Sequence, residues 1–277
     1  MPDKPCKVGS MDEVLAIMAR LRDPQRGCAW DLKQTFDSIV PHTLEEAFEV
    51  ADAIERRDFD ELRGELGDLL LQVVFHSRMA QEEGRFDFQD VAATLAEKLV
   101  RRHPHVFGDT RFESEEAQHA AWEAEKARER AAGQGAPADG NDARALPSQM
   151  DGIARTLPGL SRAAKIQKRA ARVGFDWDNP APVLDKILEE LDEVRQEMAA
   201  GAGHDRLEDE VGDLLFAVTN LARHLKVDPE AALRRTNRKF ESRFRFIEQT
   251  LAREGRAVED QPLEVLDELW ERAKREG

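Results

Sequence analysis

Apolar residues recur every three or four positions along most of this chain, a spacing typical of amphipathic helices. The first such segment is 11–21, MDEVLAIMARL. Helices are also predicted over 43–57, over 60–84, over 88–102 and around Trp122, with Thr43 and Glu46 forming the capping box of the first of them. No segment alternates apolar and polar residues between turn signals, so the predicted fold class is all-α.

The second half of the chain shows the same helical spacing. Helices are predicted over 160–173, in a pair within 188–216, from Pro229 to 255, and over 263–274. Between the halves, AAGQGAPADGNDARALP (131–147) is small, polar and without periodicity, and we interpret it as a flexible linker. The predicted domains are therefore 8–130 and 148–277, two tandem helical bundles.

The two halves are versions of each other. LEEAFEV at 44 matches LEELDEV at 188, and GELGDLLLQV at 64 matches DEVGDLLFAV at 209. The repeat spans 11–122 and 158–270 and aligns Trp30 with Trp177, Trp122 with Trp270, Lys98 with Lys239, and Arg102 with Arg243. This duplication predicts two copies of one helical unit.

Carboxylates cluster at the same place in each copy. In the second copy they are Glu189, Glu190, Glu193, Glu210 and Asp213. Residues three or four apart share a helix face, so a pair of helices folding back across 201–203 would bring four of these side chains together. A solvated acidic face would explain one cluster. Its repetition as Glu46, Glu49, Glu65 and Asp68, with the spacing held, favours a metal site in each copy.

Gly67 and Gly212 lie in the middle of the matching helices, one residue before Asp68 and Asp213. Glycine costs roughly 1 kcal/mol relative to alanine in a helix interior. We therefore expect another helix or a ligand to approach the backbone at these positions.

Oxygen-only ligands favour Mg²⁺, with Mn²⁺ as a possible substitute, over Zn²⁺. A di-iron bundle is a structural rival, but it requires Glu-x-x-His motifs that are missing beside both acidic clusters. A Mg²⁺ site of this kind suits phosphate chemistry. Lys239 and Arg243, four apart on the next helix, could bind phosphate or could be ordinary solvated charges, and Trp270 could stack on a base or pack in the core.

The formal net charge of −15 argues against a nucleic-acid polymer as partner, whereas a single nucleotide remains compatible. Cys6 and Cys28 are too few for a disulfide framework. We expect no signal peptide in MPDKPCKVGSMDEV and find no apolar run long enough to span a membrane. The predicted location is the cytoplasm, with no membrane partner.

The blocks TLEEAFEVADAI, GELGDLLLQVVFHSRMA, RRHPHVFGD, KRAARVGFDW and DEVGDLLFAVTNLARHL resemble the MazG family of all-α nucleoside triphosphate pyrophosphohydrolases. The resemblance covers nearly the whole chain. It implies hydrolysis of ribo- and deoxyribonucleoside triphosphates to a monophosphate and pyrophosphate, two Mg²⁺ ions, and a homodimer.

By the same resemblance, Glu190, Glu193, Glu210 and Asp213 would be the metal ligands, and Glu189 would bind nucleotide or orient water. The implied nucleotide contacts are Lys186, Arg206, Asp209, Lys239, Arg243 and Trp270. Arg206 and Asp209 depart from the usual lysine and glutamate; both keep the charge and change the reach of the side chain.

We expect a metal-activated water to attack the α-phosphorus, with Glu189, Glu190 and Lys239 as the catalytic residues and attack at the β-phosphorus still open. The second copy is preferred as the catalytic one because the helix that follows its acidic cluster is richer in Arg and Lys. Two alternatives remain: a non-catalytic cation-binding dimerisation protein, and a narrow hydrolase of a damaged nucleotide or a guanosine alarmone. The apolar stripe of each helix pair could be covered by a second chain or by the other half.

Overall fold

The computed structural model describes residues 9–133 and 148–276, which contain α-helices and a single 3₁₀ turn but no strand. The all-α prediction is confirmed. The chain divides into two compact units between Gly133 and Gln134. The helices of the first unit are α1 (Met11–Leu21), α2 (Phe36–Arg56), α3 (Phe59–Glu82), α4 (Phe88–Arg102), α5 (Pro104–Phe107) and α6 (Glu115–Gly133).

The second unit contains α7 (Gly159–Ala171), α8 (Ala181–Ala200), α9 (His204–His224), α10 (Pro229–Arg253) and α11 (Leu263–Glu276). The bounds predicted for α1 and α4 agree with those observed. Residues 131–133 of the predicted linker are helical because α6 continues to Gly133, and 134–147 lie outside the described residues. The predicted domain limits otherwise stay a prediction.

The predicted start of α2 is wrong. The helix begins at Phe36, where Thr35 and Ser38 form a reciprocal capping box, and Thr43 is an interior residue whose hydroxyl bonds the Ile39 carbonyl at 3.2 Å. Pro41 lies inside the helix and removes one backbone hydrogen bond. Burial of Ile39 in the core of the unit offsets that loss, a tertiary effect that the local sequence does not reveal.

The core of the first unit lies between α1, α2 and α3. It contains Met18, Ile39, Val74, Phe75 and Met79. Each of these three helices has one apolar face, and packing the faces together removes them from water.

The second unit is built on the α8–α9 hairpin, against which α7 packs through α9. Gly201 ends α8 with φ +69°, a left-handed conformation that favours glycine and lets the chain reverse. A separate core, made of Ile247, Leu251 and Leu269, holds α10 and α11 together.

Gly67 and Gly212 meet no described neighbour. A Cβ atom added at either position would find nothing within 4 Å. The close approach expected at these glycines is therefore not made by any described part of the chain.

The sequence led us to expect no disulfide framework and no membrane-spanning helix. Cys28 is free and exposed, and Cys6 lies outside the described residues. Among the helices described, none combines the length and the apolar character needed to cross a membrane.

Candidate metal and nucleotide site

Three carboxylates of the second unit converge. Glu190 on α8 and Glu210 and Asp213 on α9 each place one carboxylate oxygen within 4.8 Å of the other two. The α8–α9 hairpin makes this possible, because Glu210 and Asp213 lie one helical turn apart on the face that meets α8. Glu190 and Glu210 are only 5% and 4% exposed.

Cations already contact the two buried carboxylates. Lys186 Nζ lies 2.8 Å from Glu190 Oε1, and Arg206 Nη2 lies 2.7 Å from Glu210 Oε1. Glu190 Oε2, in contrast, is buried without a hydrogen-bond partner. An unpaired buried carboxylate oxygen is costly unless a ligand satisfies it, so this donor set fits a divalent cation.

Glu193, the fourth predicted ligand, is half-buried beside the cluster but is not one of the three that converge. Its pKa is raised by burial and then by the negative charges of Glu190 and Glu210. Glu193 therefore lies close enough to Glu190 and Glu210 to feel their charges. The three carboxylates whose oxygens converge are those of Glu190, Glu210 and Asp213.

The first unit repeats the arrangement with a different trio. Glu46, Glu49 and Glu65 offer oxygens within 4.8 Å of one another, and Asp68 falls outside this group. Burial, followed by the charge of Asp68, raises the pKa of Glu46. Both copies therefore hold three converging carboxylates, but the aspartate belongs to the trio only in the second.

The cations around the two clusters differ more than the carboxylates do. The register of the repeat places His42 and Glu61 where the second copy has Lys186 and Arg206. Glu61 accepts a hydrogen bond from Arg56 instead. The first cluster thus lacks the two positive side chains that contact the second.

The predicted nucleotide contacts fall into two groups. Lys186, Glu189, Arg206 and Asp209 lie on α8 and α9 with the acidic cluster, and Lys186 also pairs with Glu189 at 2.8 Å. Lys239, Arg243 and Trp270 lie on α10 and α11. No hydrogen bond or ion pair within 9–133 and 148–276 joins the second group to the cluster.

The second group has its own surroundings. Trp270 packs on Phe240 with ring centroids 5.1 Å apart, and the Arg243 guanidinium lies 5.5 Å from the Trp270 ring. Lys239 and Arg243 line a basic hollow of about 550 Å³ together with Arg235. Trp270 therefore helps to build the core of the α10–α11 pair, and the hollow beside it suits an anionic group.

The corresponding basic residue of the first copy is engaged internally. Arg102, aligned with Arg243, donates hydrogen bonds to Glu129 on α6, as does Arg101. The hydrogen bonds from Arg102 and Arg101 lower the pKa of Glu129 to about 2. Arg102 is thus neutralised by a carboxylate, whereas Arg243 forms no ion pair with a described acidic group.

A cavity of about 470 Å³ in the second unit was not foreseen from the sequence. Glu190 and Asp213 form part of its wall, with Trp177, Gln167 and Asn220. Trp177 stood out only as a marker of the repeat. The sequence signal for Gln167 was a glutamine on an otherwise apolar face of its helix. Its burial, which makes it notable, is visible only in the fold.

Comparison with known proteins shows the same duplication. The family model described as "MazG nucleotide pyrophosphohydrolase domain" matches residues 34–107 and 179–245, one match in each copy. The chain is 52% identical over 270 residues to "Nucleoside triphosphate pyrophosphohydrolase" of Escherichia coli (strain K12), covering 97% of this chain and 98% of that protein.

Two more relatives extend the comparison. "Nucleoside triphosphate pyrophosphohydrolase/pyrophosphatase MazG" of Thermotoga maritima is 44% identical over 263 residues, with 95% of each chain covered. "Uncharacterized protein YabN" of Bacillus subtilis is 42% identical over 94% of this chain and 50% of its own length. These matches span both copies of the repeat, and the chain therefore belongs to the MazG nucleotide pyrophosphohydrolase family.

Proposed function

We propose that this chain hydrolyses ribo- and deoxyribonucleoside triphosphates to a nucleoside monophosphate and pyrophosphate, with Mg²⁺ held in the second copy. The observation that carries the proposal is the convergence of Glu190, Glu210 and Asp213, with a buried oxygen of Glu190 left unpaired. Two of the relatives are named nucleoside triphosphate pyrophosphohydrolases, and these names support the proposed reaction.

The metal would be held by Glu190, Glu210 and Asp213, with Glu193 beside them as the fourth predicted ligand. Carboxylate oxygens suit Mg²⁺, and Mn²⁺ would be accepted by the same donors. When bound, the metal supplies a water of lowered pKa and polarises the phosphate oxygens.

The protein side chains bind and orient the substrate. Glu189 is exposed beside the buried Glu190 and pairs with Lys186, and it would bind nucleotide or orient the attacking water. Lys186 and Arg206 lie on the cluster itself and would neutralise phosphate oxygens that approach it. Lys239 and Arg243 belong to a separate basic hollow, which would receive the departing pyrophosphate.

We also propose a homodimer in the cytoplasm. Apolar side chains on the outer face of the α8–α9 hairpin are exposed, with Leu188 at 61% and Leu215 at 51%. Leu184 and Val211 continue the same stripe. Exposed apolar stripes of this kind mark interaction surfaces, and a second copy of the hairpin would complete a four-helix bundle.

Product analysis tests the proposed reaction. The purified chain is incubated with Mg²⁺ and each common ribo- and deoxyribonucleoside triphosphate, and products are separated by anion exchange. We expect monophosphate and pyrophosphate, and loss of both when EDTA removes the metal. Formation of diphosphate and phosphate, no turnover, or turnover of only one of these nucleotides would contradict the proposal.

Oxygen-18 water locates the bond that breaks. Attack at the α-phosphorus leaves the label in the monophosphate, and attack at the β-phosphorus leaves it in pyrophosphate. We expect label in the monophosphate.

Light scattering on the same sample tests the proposed homodimer. A molar mass equal to that of one chain would contradict it.

A further inference from the structure

Gln167 on α7 has a buried amide oxygen without a hydrogen-bond partner, and it lies in the wall of the 470 Å³ cavity of the second unit. Its side chain is only 7% exposed and lies in the cavity wall. Its Nε2 donates a hydrogen bond to the carbonyl oxygen of Phe216 at 2.8 Å. Its Oε1 is buried and has no hydrogen-bond partner.

The orientation of this amide is determined by its neighbour. The Phe216 carbonyl can only accept, so the NH₂ group of Gln167 must face it. A flipped amide would set two acceptors against each other. Oε1 is therefore left as a fixed acceptor in the cavity wall, where a bound molecule with an N–H or O–H group could satisfy it.

The rest of the cavity suits a flat aromatic ring. Trp177 and the apolar Ile166, Ala170 and Val183 line it. The loop that carries Trp177 is tied to α9, because Asp176 accepts hydrogen bonds from Arg223. Its volume lies within the range of small-molecule sites, which are mostly apolar with a few placed polar groups.

The cavity also reaches the acidic cluster, since Lys186, Glu190 and Asp213 belong to its wall. A ligand here would have its apolar part among Trp177 and Ile166 and its anionic part next to the lysine and the metal-binding carboxylates. A nucleotide has this division between base and phosphate.

We propose that this cavity binds the nucleobase and that Gln167 Oε1 accepts a hydrogen bond from an N–H group of the base; this rests on the proposed function. Adenine and cytosine offer an exocyclic amino group, and guanine, uracil and thymine offer a ring N–H. One fixed acceptor therefore admits every common base and disfavours analogues that lack an N–H at that edge. Gln167 is a specificity-determining residue in this sense.

The first copy has filled the corresponding position. Phe75 stands in the register of Asn220, ten residues after Glu65 and Glu210 respectively. Phe75 is buried in the core of its unit, and the Arg22 guanidinium lies 5.4 Å from its ring. Asn220 instead lines the cavity and accepts a hydrogen bond from Arg223 at 2.9 Å. The base site is accordingly assigned to the second copy.

Equilibrium binding of monophosphates tests the proposal without requiring turnover. AMP is compared with purine riboside 5′-monophosphate, which has hydrogen in place of the amino group, by calorimetry on the full chain with Mg²⁺. We expect the unsubstituted protein to bind AMP about tenfold more tightly, the size of one net hydrogen bond. UMP should likewise bind about tenfold more tightly than N3-methyluridine monophosphate, in which a methyl group replaces the N3 hydrogen.

Gln167→Met keeps the length of the side chain and removes the acceptor. This variant should bind AMP and purine riboside monophosphate within about twofold of each other, because the difference of one hydrogen bond is gone. Gln249→Met, at an exposed position of α10, is the matched control and should keep the tenfold preference. The affinity ratio is internal to each sample, so a partly unfolded variant does not alter it.

Equal affinities in the unsubstituted protein would overturn the assignment, and this result does not depend on any variant folding. A preference that survives Gln167→Met would also overturn it, as would failure of both monophosphates to bind. In each case the product analysis decides the proposed hydrolysis separately, because release of pyrophosphate does not require that the base occupy this cavity.

Discussion

Lys186 Nζ lies 2.8 Å from Oε1 of Glu190, so a buried carboxylate of the acidic cluster has an ammonium counterion one turn away on α8. Hydrogen bonds to Glu189 and Glu190 raise the pKa of Lys186, which keeps it charged at neutral pH. The positive charge of Lys186 therefore disfavours the binding of a metal cation and favours the binding of a phosphate group.

Lys186→Met should change metal and nucleotide binding in opposite directions. Without the ammonium the cluster is more negative, so the affinity for Mg²⁺ alone should rise about fivefold, equivalent to ~1 kcal/mol of Coulomb energy. The KM for ATP should rise about tenfold because a phosphate contact is lost. Calorimetry with Mg²⁺ and steady-state kinetics measure the two effects.

Arg195→Met is the control for this experiment, since exposed Arg195 pairs only with Asp192 among the described residues. It should leave both quantities unchanged. A fall in both affinities after Lys186→Met would indicate general damage to the unit and would contradict the prediction.

Glu190→Gln should abolish most pyrophosphate release, while Glu46→Gln should leave it largely intact. Each substitution removes one charge from a trio of converging carboxylates, and the second trio lines the 470 Å³ cavity through Glu190 and Asp213. We expect a loss of at least about 100-fold in kcat for Glu190→Gln, because the variant would hold less well the metal that would stabilise the transition-state charge. The reverse pattern would move the catalytic site to the first copy.

Arg22→Met should destabilise the first unit. Arg22 is buried, and its guanidinium donates to Glu82 at 2.6 Å and to the Asp31 carbonyl at 2.5 Å. Arg78 still donates to Glu82 and the Gln34 N–H still donates to the Asp31 carbonyl. The expected cost of about 2–3 kcal/mol is therefore that of losing the buried charged hydrogen bonds of Arg22 itself. Chemical denaturation followed by circular dichroism measures the free energy of unfolding.

Arg85→Met removes a comparable guanidinium from an exposed pair with Glu83. Surface pairs contribute about 0–1 kcal/mol, so this control should change the stability little. Equal effects of the two substitutions would show that burial does not distinguish them.

Glu129→Gln should destabilise the first unit at neutral pH and have little effect in acid. The folded-state pKa of Glu129 is lowered to about 2 by its hydrogen bonds from Arg102 and Arg101. A lowered carboxyl pKa gives stability that is present above about pH 4.5 and is lost as the pH falls through the folded value. The difference in Tm between the two proteins should therefore shrink between pH 4.5 and pH 2. A difference that is constant with pH would assign the effect to packing.

The periodicity of the chain was sufficient to predict the helices that matter for the cluster. Residues 190 and 193, and 210 and 213, are one turn apart wherever a helix forms, and the glycines at 201 and 203 allow the reversal that sets α8 against α9. The bounds of α4 were predicted from its apolar spacing and from His103-Pro104, which ends it, and the structure adds an N-cap at Asp87. The start of α2 was missed because burial of Ile39, a tertiary contact, outweighs the cost of Pro41.

Other features depend on which faces meet. Gln167 became a candidate only when α7 packed on α9 and buried its amide against the Phe216 carbonyl. The predicted nucleotide contacts fall into two groups because α10 and α11, which carry Lys239 and Trp270, pack against each other around a core of their own. The position of Arg102 against Glu129 likewise depends on where α6 packs.

The sequence by itself determined the all-α class, the duplication and the family, because each is written in local spacing and in blocks of residues. It also placed the carboxylates of each copy on helix faces that could meet. Only the tertiary structure decided that Glu190, Glu210 and Asp213 converge, that an oxygen of Glu190 is left unpaired, and that a cavity with a fixed acceptor adjoins them. The physical reason is that burial and the pairing of polar atoms depend on contacts between distant segments, which no local pattern specifies.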